Sequence, residues 1–253
     1  MVSVCSSNRR KAAGTLAVIF QPIINMRIIF FLLLLNFQLS IAQEINEFVP
    51  KNWKVILKTT GDLNKDTFED VAIVIEENNT NNYKLNEGLG ADTLNMNPRD
   101  LIILFGNANG KFKLQERNKN KFIPSENDQE IPCLQDPLDE ANGIEIKNGL
   151  LFINFYYWLS CGSWYVNTAK FTFRFQNNEF ILIGFDNNSM HRSLGNEESV
   201  SMNFITQKKI ITTGGNVFEE EKNNPKVKKS KIKNSKLIKL RDCNNLTYSE
   251  LQN

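Results

Sequence analysis

Short β-branched and aromatic runs separated by clusters of Asn, Gly and Asp predict an all-β chain of antiparallel sheets. Two further observations point the same way. Phe171, Phe173 and Phe175 alternate with Lys170, Thr172 and Arg174, the period of two that a half-buried strand requires. After the N-terminal region, no stretch sustains apolar residues at i, i+3 and i+4, so little helix is expected.

The chain begins with a segment that reads as an export signal. Ile28 to Leu35 (IIFFLLLL) follows Arg27, runs on through Phe37 and Leu39, and ends in Ser40-Ile41-Ala42-Gln43. A charged residue, an apolar run and small residues at the cleavage positions predict a signal peptide over 1–42, with the mature part starting at Gln43. Met26, directly before the apolar run, is a candidate true start. Gln21, Pro22, Asn25 and Arg27 keep the unbroken run below the about 20 residues of a spanning helix, so no transmembrane segment is expected after cleavage. The expected location is secreted or periplasmic, in a bacterial envelope.

Removing Arg9, Arg10, Lys11 and Arg27, with no acid, moves the net charge from +2 to −2. Nine basic residues and no acid lie between Lys222 and Arg241, so the body is acidic and the tail basic. A basic tail can meet nucleic acid or an anionic surface. Export argues against nucleic acid, and the preferred reading is an edge strand over Lys231 to Leu240 whose lysines discourage aggregation.

Trp53–Lys58 and Val71–Glu76 are the first expected strands. Asp100–Phe105 and Phe112–Glu116 follow, joined through Gly106-Asn107-Ala108-Asn109-Gly110, and the four form one antiparallel sheet over residues 43–117. Asn78 to Pro98, polar and Asn-rich, is expected to be a long mobile loop. Residues 118–142, rich in Pro, Asp, Glu and Asn, read as an irregular linker.

A second sheet is expected over 143–215. Ile144–Ile146 and Leu150–Tyr156 flank Lys147-Asn148-Gly149, a hairpin signal. Tyr165–Gln176 turns through Asn177-Asn178 into Phe180–Phe185, and Ser199–Ile205 and Lys209–Thr213 complete the set. Residues 216–253 are the basic C-terminal segment.

Three cysteines remain after cleavage: Cys133, Cys161 and Cys243. Export permits disulfides, and three pairings are open. Cys133 with Cys161 is favoured because the two flank one predicted strand; the alternative is that all three are small buried apolar groups.

Gly61-Asp62-Leu63-Asn64-Lys65-Asp66-Thr67-Phe68-Glu69-Asp70 carries the clearest chemistry. Asp62, Asn64, Asp66 and Asp70 stand at positions 1, 3, 5 and 9 of a loop between strands, with the Phe68 carbonyl at position 7. Oxygen donors at that spacing suit calcium. Thr67 in place of Gly, and Ile73 where a bidentate Glu would stand, exclude an EF-hand. The loop resembles the calcium loop of FG-GAP and VCBS repeats, the blades of integrin-type β-propellers, and Phe105-Gly106 with Gly110-Lys111-Phe112 resembles the strand end and turn of such a blade. The resemblance covers one repeat, about residues 52–116, and implies a propeller-blade-like N-terminal sheet whose loop holds calcium.

Cys161-Gly162-Ser163-Trp164 with His191 lacks the second cysteine of a papain-type nucleophile, and Ser163 lies in no nucleophile elbow. Tyr156, Tyr157, Trp158, Trp164 and Tyr165 are candidate binding aromatics. The sequence thus predicts an exported, non-enzymatic β protein acting in binding or surface structure, with a protein or carbohydrate ligand. The alternative is a secreted hydrolase or inhibitor with an aromatic-lined cleft around Trp158 and Trp164.

Overall fold

The computed structural model describes residues 45–138, 143–219, 225–232 and 237–252. The expected signal segment, 1–42, and its expected cleavage site lie outside them. The protein is all-β, with thirteen strands among the described residues, and no described helix is long and apolar enough to cross a membrane.

β1 (Trp53–Gly61), β2 (Asp70–Glu77), β5 (Arg99–Gly106) and β6 (Phe112–Asn118) form an antiparallel sheet in the order β1-β2-β5-β6. Both central strands are continuous apolar runs, VAIVI and LIIL, and both of their faces are buried. Between β2 and β5 the chain is not the loop expected from its Asn content. A 3-10 turn at Thr80–Asn82 leads into a small hairpin of β3 (Tyr83–Leu85) and β4 (Thr93–Asn95), with Leu94, Asn95 and Asn97 buried.

Side-chain hydrogen bonding is what orders this segment. Glu76, buried at the end of β2, accepts from Arg99 Nε at 2.8 Å, from Lys54 at 2.9 Å and from Asn95 at 3.2 Å. The Arg99 guanidinium then grips both oxygens of Asp136 at 2.7 Å each. Burial works to raise the Glu76 carboxyl, but the hydrogen bonds from Lys54 and Arg99 outweigh it and hold it below its usual range.

The larger sheet has seven antiparallel strands in the order β13-β12-β11-β10-β9-β8-β7. These are β7 (Ile144–Lys147), β8 (Leu150–Trp158), β9 (Tyr165–Gln176), β10 (Glu179–His191), β11 (Asn196–Asn203), β12 (Lys208–Asn216) and β13 (Lys226–Lys231). Asn148-Gly149 and Asn177-Asn178 make the two tight turns, all four residues at positive φ as a two-residue hairpin of the I′ kind requires.

The two sheets share one hydrophobic cluster. Ala72, Val74, Leu101 and Ile103 of the smaller sheet join Leu151, Ile153, Phe155, Phe171, Phe173, Phe180 and Phe185 of the larger. Residues 119–138 are irregular, yet they carry part of this core. Phe122 stands edge-on to Phe155 (5.8 Å), Phe171 (5.1 Å) and Phe173 (6.0 Å), and Ile123 and Leu138 are buried beside it.

Among the described residues an edge strand lies at Lys226–Lys231, earlier in the tail than the expected Lys231–Leu240, of which residues 233–236 lie outside the described residues. Leu240 and Cys243 instead plug the core. The Asn118 side-chain amide donates to their carbonyls at 2.6 and 2.9 Å, and the chain ends in a short helix α1 (Thr247–Gln252).

Candidate functional site

Loop 61–70 leaves the end of β1 and re-enters at the start of β2. Its polar side chains order the turn by accepting backbone N–H groups. Asp62 takes those of Lys65 at 2.6 Å and Thr67 at 3.0 Å, one on each carboxylate oxygen. Asn64 accepts from the Asp66 N–H at 2.9 Å, and Asp66 from the Phe68 N–H at 2.9 Å. Lys65 and Thr67 both have positive φ, 66° and 75°. Position 6 of the loop therefore does adopt the left-handed conformation for which such loops use glycine, with a β-branched residue in it.

Asp70 closes the loop from below. It is fully buried, and its carboxylate accepts from the Leu63 N–H at 2.8 Å and from the Gly106 N–H at 3.0 Å. That second bond ties the loop to the β5–β6 turn. Gly106 is required there, because a Cβ would collide with the carbonyl oxygen of Glu69. Phe105-Gly106, singled out in the sequence, is thus the point where the two connections of the small sheet meet. Burial pushes the Asp70 carboxyl above its usual range, and the N–H groups of Leu63 and Gly106 pull against it.

Three carboxylates, an amide oxygen and the Phe68 carbonyl are a hard-oxygen donor set of the chemistry calcium takes. Each carboxylate oxygen keeps a lone pair beyond the N–H it accepts. Among the described residues, however, no three His, Cys, Asp or Glu side chains converge as a metal-holding group. The loop's donors share one turn but are aimed at its own backbone.

Cys133 and Cys161 form a disulfide, with Cα atoms 5.5 Å apart, and Cys243 is free and buried. Burial raises the Cys243 thiol to about 12, so it is not a nucleophile at neutral pH. The disulfide holds residues 133–137 along the end of β8. There the Gln135 N–H reaches the Trp158 carbonyl at 3.0 Å, and the Tyr156 N–H reaches that of Pro137 at 2.8 Å. A cysteine nucleophile at Cys161 is therefore absent. Ser163 donates to the Tyr165 carbonyl rather than to His191, which accepts the Leu194 N–H on Nδ1.

The five candidate aromatics do not share one face. Tyr157 turns to the core face, stacked on Tyr248 of α1 at 4.7 Å, and burial raises its hydroxyl far above the usual range. Tyr156 and Trp158 alternate onto the opposite face of β8, both half-buried. The Arg192 guanidinium lies over the Trp158 ring at 5.4 Å. Trp164 and Tyr165 are exposed, the first stacked parallel to His191 at 5.9 Å and the second edge-on to it at 4.9 Å.

Several structural residues escaped sequence reasoning. The Glu76, Arg99 and Asp136 group joins side chains far apart in the chain, and no local signal marks it. The strand expected to end at Phe185 runs on to His191, paired with β9 on one side and β11 on the other, and buried Asn187 in this extension accepts from Tyr248 at 2.9 Å and Gln252 at 3.3 Å, both on α1. No family model, curated protein or solved structure matches the chain.

Proposed function

We propose that this is an exported, non-enzymatic β protein whose loop Asp62–Asp70 takes one calcium ion, and that it acts in extracytoplasmic binding or surface structure. The supporting observation is the loop's own order. Asp62 gathers the N–H groups of two residues at positive φ, while the wholly buried Asp70 joins the same loop to the β5–β6 turn. In this reading Asp62, Asn64, Asp66, Asp70 and the Phe68 carbonyl hold the ion, as the resemblance to an FG-GAP or VCBS repeat implies. The ion supplies positive charge to a cluster of carboxylates, one of which burial makes costly to ionise.

The energetic sense is local stabilisation by ligand binding, which grows with free calcium. Affinity should fall as pH drops through the raised Asp70 value, because the ion and the proton compete for that carboxylate. Calorimetric titration of the purified protein tests the proposal. One site is expected, in about the 0.1–1 mM range of extracellular calcium modules, and Asp62→Ala should abolish it. If the wild-type protein gives neither heat nor a shift in melting temperature with calcium in excess of that range, the reading is wrong.

A further inference from the structure

The smaller sheet, Phe122 and α1 all pack on one face of the seven-stranded sheet, the face that carries Phe155, Phe171 and Phe185. Alternation sends the neighbouring side chains to the outer face, where register sets the pattern. Tyr156 pairs with Thr168, Thr168 with Asn188, Asn188 with Ser199 and Ser199 with Thr212, so five side chains stand in one row across β8 to β12. At about 4.8 Å between strands, the row is about 19 Å long. Two residues along each of β8 to β11 lies a second row. Trp158 pairs with Val166, Val166 with Met190 and Met190 with Glu197, so this row is apolar until it ends in a carboxylate.

The first row is polar and turned to solvent, with Thr168 and Asn188 exposed. Among the described residues, the side chains of Thr168, Asn188, Ser199 and Thr212 have no hydrogen-bond partner. At one end of the rows, Asn188, Ser199 and Thr212 join Glu197, Gly215 and Pro225 in lining a cavity of about 150 Å³. At the other end, the Trp158 Nε1–H is buried and meets no acceptor. Such a donor is rare in native proteins and costs free energy. The Arg192 guanidinium lies over that ring, and its one side-chain hydrogen bond is a long one, 3.4 Å to the Ser163 carbonyl.

These features together select a class of ligand. Every hydroxyl and amide of the first row both donates and accepts. The hydroxyls of a sugar do the same, and the C–H face of its ring matches an apolar strip and an aromatic side chain. The first row holds no charged side chain and the second only Glu197, which is no field for a polyanion or an anionic lipid. An extended peptide would pair its main chain with a sheet edge rather than lie across a face.

We propose that this face binds a linear, neutral oligosaccharide along the two rows. Its hydroxyls pair with Thr168, Asn188, Ser199 and Thr212, its rings lie over Tyr156 and Met190, and Glu197 accepts a hydroxyl at the cavity. A sugar oxygen reaches Trp158 Nε1 as Arg192 moves aside. The proposal rests on the extracytoplasmic binding role given above and names its ligand, but it does not need calcium, whose loop lies on the smaller sheet.

Isothermal titration with cellohexaose, laminarihexaose, maltohexaose and chitohexaose tests this, with chelator present throughout. Binding of at least one is expected, insensitive to salt and accompanied by a change in tryptophan emission. The variants N188A/T212A and Y156A should each weaken it by at least about tenfold. All three side chains lie on the outer face, so unchanged thermal melts separate loss of binding from loss of fold. A protein that binds none of the four sugars overturns the proposal, as does binding that both variants retain. Binding to dextran sulfate alone, abolished by salt, would make the surface an electrostatic one and equally overturn it. A silent calcium titration beside intact sugar binding would remove the metal reading only.

Discussion

Thr67 sits at φ 75° in an exposed turn. A left-handed backbone costs an L-residue with a branched Cβ more than it costs glycine, on the order of 1–2 kcal/mol. Replacing Thr67 with Gly removes that strain. It also frees the unfolded chain at a cost of about 0.5–1 kcal/mol, so the net expectation is a gain of about 0.5–1 kcal/mol. The Thr67 N–H that Asp62 accepts survives the change. Urea denaturation without calcium measures it, and a variant less stable than wild type would show that the threonine side chain contributes something the turn geometry does not require.

Strands that alternate, or that run as short apolar stretches between turn residues, were readable from the chain alone. Asn148-Gly149 and Asn177-Asn178 specify their hairpins through φ preference, a property of single residues. Elements ordered by distant partners were not readable. β3 and β4 are three residues each, YKL and TLN, held by Asn95 and its contacts to Glu76, Glu126 and Asn127, which propensity cannot anticipate. The disulfide lies between these cases, because its cysteines are visible in the sequence but its effect is not. It fixes residues 133–137, a segment otherwise attached by few backbone bonds, to the end of β8. Closing a loop across 28 residues restricts the unfolded chain by about 3–4 kcal/mol in the chain-entropy account. The C133S/C161S variant should lose about 3 kcal/mol in urea denaturation, with faster amide exchange in residues 131–137. A loss below about 1 kcal/mol would mean that the Arg99–Asp136 ion pair and the backbone bonds already hold the segment.

At the scale of the whole molecule, the sequence suggests two sheets separated by a linker, while the side chains describe one core. Composition misleads here, because the Pro, Asp and Asn of residues 118–142 suggest only a linker and hide three apolar residues. Phe122, Ile123 and Leu138 pack with residues of both sheets. Phe122 is 4% exposed and meets three phenylalanines of the larger sheet edge-on, so truncating it leaves a cavity that rigid strands on either side cannot close. Phe122→Ala should cost about 3–5 kcal/mol. The form of the transition is as informative as its size. If the sheets share a core, far-ultraviolet dichroism, which reports both, and the fluorescence of Trp53 on β1 and Trp158 on β8 should give coincident curves, in wild type and variant alike. Two separated transitions, with Phe122→Ala moving only one, would mean that each sheet folds by itself and that Phe122 belongs to one of them.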